Sequence, residues 1–353
     1  MAHLKTAVFA GRRRVTLWLD DNKLRKLAYY YQRPDSFFEG RTLVSYGGAQ
    51  SNAMLALARL ASAKGVPFTY YCHTLPGVVR ARPWQGNFGD ALELGMRVEE
   101  VSSDLEAAAA KHAEGSGHIL IQRGGSMPEA SHGVGQLGAE IRTFLDSRKD
   151  GDGHDHQQQQ QQQPGCATEG KARRSAVVLP AGTGATALFL QQSLWPDVDV
   201  VCVPCVGGAT YLQSQFEQLA LETDARRKQM QAQLTGDECT GSADADASGG
   251  SGLPRAARPW AWPSILSPLK KKRRFGALDS DLLGIFSRLR QAFGVDFDLL
   301  YACPAWEALL AAGSDDPRLP EDIIYLHCGG LEGNRTQMGR YRHRGFAVPT
   351  EEA

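Results

Sequence analysis

Apolar and polar positions along this chain come in short runs that fall into a strand-then-helix rhythm. Val15-Thr16-Leu17-Trp18-Leu19 and Leu43 to Tyr46 are apolar stretches of strand length. Ser51 to Lys64 carries Ala53, Leu55, Ala56, Leu57, Leu60 and Ala61, all good helix formers, and meets Gly65, which predicts a helix with a glycine stop. Phe68 to Tyr71 predicts a strand, a helix is expected around Asp90 to Leu94, and Arg97 to Val101 and His118 to Gln122 read as further strands. Ser131-His132-Gly133 predicts a turn leading into a helix from Val134 to Leu145. Ala176 to Leu179 and Val198 to Val203 read as strands, and Ala187 to Leu194 and Leu282 to Phe293 as helices. Alternation of this kind predicts an α/β protein with a parallel sheet covered by helices.

Two segments interrupt the rhythm. Residues 147 to 174 contain His154-Asp155-His156 and seven glutamines from Gln157 to Gln163, a composition that builds no apolar face and is expected to be disordered. Residues 224 to 258, rich in Ala, Gly, Ser, Asp and Arg, read as a second solvated insertion. Neither is expected to carry catalysis, and the histidines are read as part of a solvated tract. The run Lys270-Lys271-Lys272-Arg273-Arg274 has the composition of a nuclear-localisation or nucleic-acid patch. Lying between Trp262 to Leu269 and Phe275-Gly276, it is read here as an exposed strand or strand end.

At 353 residues the chain suggests two domains, or one large one with insertions. Lys+Arg and Asp+Glu both number 39, so no global field favours nucleic acid or an anionic membrane, and a small-molecule enzyme fits better. No stretch approaches the roughly 20 apolar residues of a spanning helix. A soluble, cytoplasmic protein is expected, with an organellar location as the alternative because MAHLKTAVFAGRRR is basic and acid-free. Seven scattered cysteines argue for a reducing compartment. Cys202-Val203-Pro204-Cys205 lies in the apolar run Val198 to Val206 with no second pair to complete four ligands, so no metal site is expected.

Three stretches carry candidate chemistry. Asp21-Asn22-Lys23-Leu24-Arg25-Lys26-Leu27 offers Lys23, an amine that can attack a carbonyl only when neutral, although a free lysine titrates near 10.4. Burial or the neighbouring Arg25 and Lys26 would lower it; otherwise the three cations are one solvated helix face. Val44-Ser45-Tyr46-Gly47-Gly48-Ala49-Gln50-Ser51-Asn52 runs from strand through glycines into a helix, where unpaired amides and the dipole favour an anion such as a carboxylate. Ser51 and Asn52 serve equally as N-caps. Pro180-Ala181-Gly182-Thr183-Gly184-Ala185-Thr186 repeats the strand-glycine-helix form with two hydroxyls and reads as a phosphate cup. A nucleotide is the competing occupant, but GTGAT lacks the GxGxxG spacing.

At NKLRKL and GGAQSN the chain resembles the family of 1-aminocyclopropane-1-carboxylate deaminases and D-cysteine desulfhydrases. The resemblance implies fold type II of the pyridoxal-phosphate enzymes, the tryptophan synthase beta-like architecture of two open parallel-sheet domains. Residues 36–115 would form the small domain, and 1–35 with 116–353 the large one. It implies pyridoxal 5'-phosphate as cofactor, a Schiff base on Lys23 in preference to Lys26, which the residues alone leave as the fallback, Asn52 facing the phenolic oxygen, and Ser51 beside the substrate. Gly182, Thr183, Gly184, Ala185 and Thr186 would hold the phosphate. Leu300-Tyr301-Ala302-Cys303 and Leu326-His327-Cys328-Gly329-Gly330 resemble two further family segments, which implies Tyr301 over the substrate and Cys328 near the pyridine ring. Ala302 stands where deaminases carry a glutamate near the ring nitrogen, and Cys328 where they carry leucine and desulfhydrases generally threonine. The expectation is therefore a homodimeric D-cysteine desulfhydrase acting on a small amino acid, with the deaminase as runner-up. Asp20-Asp21 runs directly into Asn22-Lys23 without the family's glycine-containing loop. The first strand and part of the lysine's support are expected to be missing, which keeps an inactive cofactor-binding relative in view.

Overall fold

A computed structural model describes residues 4–9, 13–75, 86–115, 117–159, 175–235, 260–267, 273–313 and 316–349. Two sheets organise them. The larger is six-stranded in the order β1 (Leu4–Phe9), β2 (Arg13–Leu19), β10 (Asp322–His327), β7 (Ser175–Ala181), β8 (Asp199–Pro204) and β9 (Ser264–Ile265). All neighbours are parallel except β1, which runs antiparallel to β2 at the edge. The smaller is fully parallel, in the order β5 (Arg97–Glu100), β4 (Phe68–Cys72), β3 (Leu43–Tyr46) and β6 (Ile119–Ile121). Its last strand lies just past residue 115, and the split at 36–115 stands as a proposal.

The central strands of the large sheet are apolar at nearly every position because both faces are covered. Successive strand side chains point to opposite faces. Ala176 and Val178 accordingly join one core with helices α8 (Ser280–Phe293) and α9 (Ala302–Ala311). Val177 and Leu179 join the other, with α5 (Ala130–Gln159) and α6 (Ala185–Leu194). A third core is built around α2 (Asn52–Lys64), whose Met54, Leu57 and Leu60 pack on Phe68 and Tyr70 of β4. Gly65 ends α2 in the left-handed conformation, as the sequence leads one to expect.

Several expectations need correction. Two strands, β1 and β2, precede the lysine motif, so the expected loss of the first strand is not observed. Asp21 caps α1 (Asn22–Tyr31) directly, accepting from the amides of Lys23 and Leu24. Ser131-His132-Gly133 is not a turn but part of α5. Gly133 is small because a Cβ there would lie 2.1 Å from the Arg25 carbonyl oxygen and 2.6 Å from the Ala28 Cβ, so the glycine marks a close crossing of α1 and α5. The segment expected to be disordered from 147 is helical as far as Gln159, and α7 (Ala209–Thr235) runs into the segment from 224. Glutamine, alanine and arginine are good helix formers, so a polar composition does not stop a helix that already has a packed first half. The rest of both segments, 160–174 and 236–258, lies outside the described residues, as do 270–272 of the basic run. Arg273 is not in a strand: it pairs with Asp279 and Glu307. Among the described residues no helix is long and apolar enough to cross a membrane.

Candidate active site

Strand β3 of the small sheet and strands β7 and β10 of the large one end around the same space. In open α/β sheets this carboxyl end is where ligands sit. The cavity measures about 550 Å³, and Lys23, Ser51, Asn52, Gly182, Thr183, Gly184, Ala185, Thr186, Tyr301 and Cys328 all line it. Residues from five separate stretches of sequence are thus brought together.

Lys23 stands in the first turn of α1. Burial of its amine pushes its pKa below the ordinary lysine value, while the carboxylates of Asp21 and Asp298 act against that shift. Cys328 is itself pushed up to about 12 by burial, so at neutral pH it is a neutral thiol and gives Lys23 no counter-charge. Arg25 is paired with carboxylates instead. Its guanidinium turns away from the cavity to Asp20 at 2.9 Å and to both oxygens of Glu140 at 2.7 and 2.8 Å. Lys26 is 3% exposed, lines the same cavity and donates to the Gly124 carbonyl at 2.6 Å. Burial and then the charge of Lys23 hold Lys26 well below the ordinary value. Gly124 in turn packs against Thr183, so Lys26 lies beside the cup that the sequence suggests has no cation of its own.

The two glycine turns differ in detail. At the first, Ser51 caps α2, its Oγ accepting from the Met54 amide at 3.3 Å, and Tyr70 donates to the Gly48 carbonyl at 3.2 Å. At the second, Gly184 is the N-cap of α6 and supplies no side-chain cap, so the first amides of that helix face the cavity with Thr183 and Thr186 beside them.

Tyr301 begins α9, with its ring centroid 5.1 Å from that of Phe275. Burial, and then the charge of Asp298, push its phenol above the ordinary tyrosine value. Asp298 itself is 3% exposed and fixes this corner, accepting from the amides of Leu300, Tyr301 and Ala302 at 3.1, 2.6 and 3.0 Å. Ala302 does not line the cavity. It is 2% exposed in the core against α8, because the helix begun by Tyr301 turns it inward.

Asn22, Asn87, Asp298 and Lys26 are polar residues at or behind the wall that the sequence reading either passed over or left in reserve. Asp298 had a local signal, an aspartate three residues before a helix start. Asn87, on α3 (Gly86–Glu93), had none, since its partners Gln50 and Asn52 are distant in sequence.

No protein-family model matches the chain, and no curated protein sequence matches it. Solved structures do. One described as an ACC deaminase homologue is 18% identical, covering 93% of this chain and 89% of that one with a TM-score of 0.64. An O-ureido-L-serine synthase is 13% identical over 99% of this chain and 94% of its own, TM-score 0.57. A hydrogen sulfide-producing enzyme from Fusobacterium nucleatum is 11% identical over 92% of each, TM-score 0.54. At these identities the likeness establishes the architecture: the chain has the tryptophan synthase beta-like fold, fold type II.

Proposed function

We propose that the cavity holds pyridoxal 5'-phosphate joined to Lys23, and that the protein is a D-cysteine desulfhydrase, converting D-cysteine and water to pyruvate, hydrogen sulfide and ammonia. The observation that supports this reading is the meeting, in one cavity, of a buried lysine with a lowered pKa and two helix starts suited to anions. The donor set fits the cofactor. The uncapped amides of α6 with Thr183 and Thr186 suit a phosphate, Lys26 places beside them an amine whose charged form a bound phosphate would favour, and Asn22 Oδ1 is a buried acceptor with no protein partner in the cavity wall. Asn52 would meet the phenolic oxygen.

When bound, the cofactor supplies an electron sink for the charge left as the α-proton departs. The chain's own groups do the rest. The first amides of α2 and Ser51 hold the substrate carboxylate. Burial favours the neutral form of Lys23, the form able to take a proton at the substrate Cα. Tyr301, pushed upward, keeps its proton and suits donation to the departing sulfur. Cys328 remains a neutral thiol, and no carboxylate of the Ala302 position reaches the ring nitrogen, which favours sulfide elimination over the deaminase path. A homodimer is the proposed assembly. The likeness to the deaminase homologue over 93% of the chain keeps ring opening of the cyclopropane amino acid as a second reading.

The deciding experiment measures keto-acid and sulfide release from D-cysteine, L-cysteine and the cyclopropane amino acid with one preparation. Sulfide from D-cysteine is expected to be fastest. Keto-acid formation from the cyclopropane substrate at an equal or higher rate would overturn the ranking.

A further inference from the structure

Asn87 is 0% exposed and lies behind the cavity wall on α3. Its Nδ2 donates to the Gln50 main-chain carbonyl at 3.0 Å and to Asn52 Oδ1 at 2.6 Å. A main-chain carbonyl can only accept, so the group of Asn87 that faces Gln50 must be the amide nitrogen, and the orientation of the Asn87 side chain is thereby decided. The same nitrogen then requires an acceptor from Asn52. The oxygen of Asn52 therefore faces Asn87, and its Nδ2 is turned the other way, toward Gly330. A Cβ at Gly330 would lie 2.1 Å from that nitrogen, so the glycine leaves the space that the Asn52 amide occupies. Asn87 Oδ1 is left buried without a protein partner, the cost of this arrangement.

The position of Asn87 is itself set by backbone. It follows Gly86, the first residue of α3, whose φ is +65° and where a Cβ would come within 2.2 Å of Thr336 Oγ1 on α10 (Gly333–His343). Arg335 of the same helix pairs with Asp90 of α3 at 2.6 Å. The chain thus holds Asn87 against α10 and aims its amide at Asn52.

We infer that Asn87 is a positioning residue: it selects the amide orientation in which Asn52 offers the cavity hydrogen-bond donors and no acceptor. The inference rests on the proposal that Asn52 meets the phenolic oxygen of pyridoxal phosphate. That oxygen carries its full negative charge once the proton it shares with the Lys23 nitrogen is lost. A donor from Asn52 stabilises this deprotonated form most, and an acceptor in the same place would repel it.

The test is a pH titration of the visible absorbance of the lysine-bound cofactor in wild type, Asn87→Ala, Asn87→Asp, Asn52→Ala and the Asn52→Ala/Asn87→Ala double variant. Loss of the donor is expected to move the midpoint upward by about one unit, the size of one ordinary hydrogen bond. Asn87→Ala and Asn87→Asp should both do so, and either suffices if the other does not fold. The double variant should move no further than Asn52→Ala alone, because Asn87 acts through Asn52. A wild-type midpoint in a folded Asn87 variant, or additive shifts in the double variant, overturns the inference. If Asn52→Ala leaves the midpoint unchanged, the assignment of Asn52 to the phenolic oxygen fails. If wild type given cofactor develops no visible band, the cofactor reading fails first.

Discussion

The two glycine turns that open on the cavity look alike in sequence and are built differently. The Gly47 to Asn52 turn is finished by its own chain: Ser51 caps α2, Tyr70 holds the Gly48 carbonyl, and Asn87 ties down Gln50 and Asn52. The Gly182 to Thr186 turn has no side-chain cap on α6 and has Lys26 close by. An unfinished helix start with a nearby amine that can be charged on binding suits a ligand that stays and carries high charge. A finished one suits a singly charged group that must come and go. The difference supports the proposed placing of phosphate at the second turn and substrate carboxylate at the first.

The largest effect is expected at the amine between the turns. Lys23→Ala should abolish both turnover and the visible absorbance of the bound cofactor, whereas Lys26→Ala should keep the band and weaken retention of the cofactor. A borohydride-reducible band in the Lys23 variant would show that the wrong lysine has been chosen. Next in size is a paired substitution, one in each turn. Gly184→Ala forces a Cβ to within 2.5 Å of Phe216 at a residue with φ of +80°, at a cost of about 2 kcal/mol or more, and should lower cofactor affinity in equilibrium dialysis. Ser51→Ala removes a cap worth about 1 kcal/mol and should raise KM while leaving cofactor affinity unchanged. If Ser51→Ala loosens the cofactor as much as Gly184→Ala does, the two turns are not specialised.

The smallest expected effect concerns pH. Lys26 is held well below its ordinary value in the folded chain, so between that lowered value and about 10.4 the unfolded chain binds more protons and stability rises with pH. The slope from one such group is at most about 1.4 kcal/mol per pH unit. It is read at rising pH up to about 8.5 as the difference in urea-unfolding free energy between cofactor-free wild type and Lys26→Met. The buried thiols, whose raised values act the opposite way, are common to both proteins and cancel in the difference. Saturating inorganic phosphate should flatten that difference by favouring the charged amine. Equal slopes in the two proteins would remove Lys26 from the account.

The elements bearing this chemistry were legible where the signal is local. The β3 strand, helix α2 with its glycine stop and the β7-glycine-α6 turn each announce themselves within a dozen residues. What was not legible depends on distant partners. Gly133 looks like turn punctuation until α1 is laid across it. Asn87 gains its role only when α3 meets the start of α2. Ala302 invites comparison with a catalytic glutamate, yet the helix pitch turns it into the core. The polar ends of α5 and α7 lack the apolar stripe that marks a helix in sequence, and their first halves are what anchor to the sheet.

The crossing at Gly133 has a further consequence. Helix α1 carries the lysine on one side and rests on α5 at the other, with the Arg25 carbonyl 2.1 Å from where a side chain would begin. Even a methyl group at residue 133 would act as a shim, lifting the whole helix and moving the amine with it. Position 133 would thus matter to the aim of the proposed Schiff-base lysine although it lies outside the cavity lining, and a substitution there would spoil that aim before it spoiled the fold.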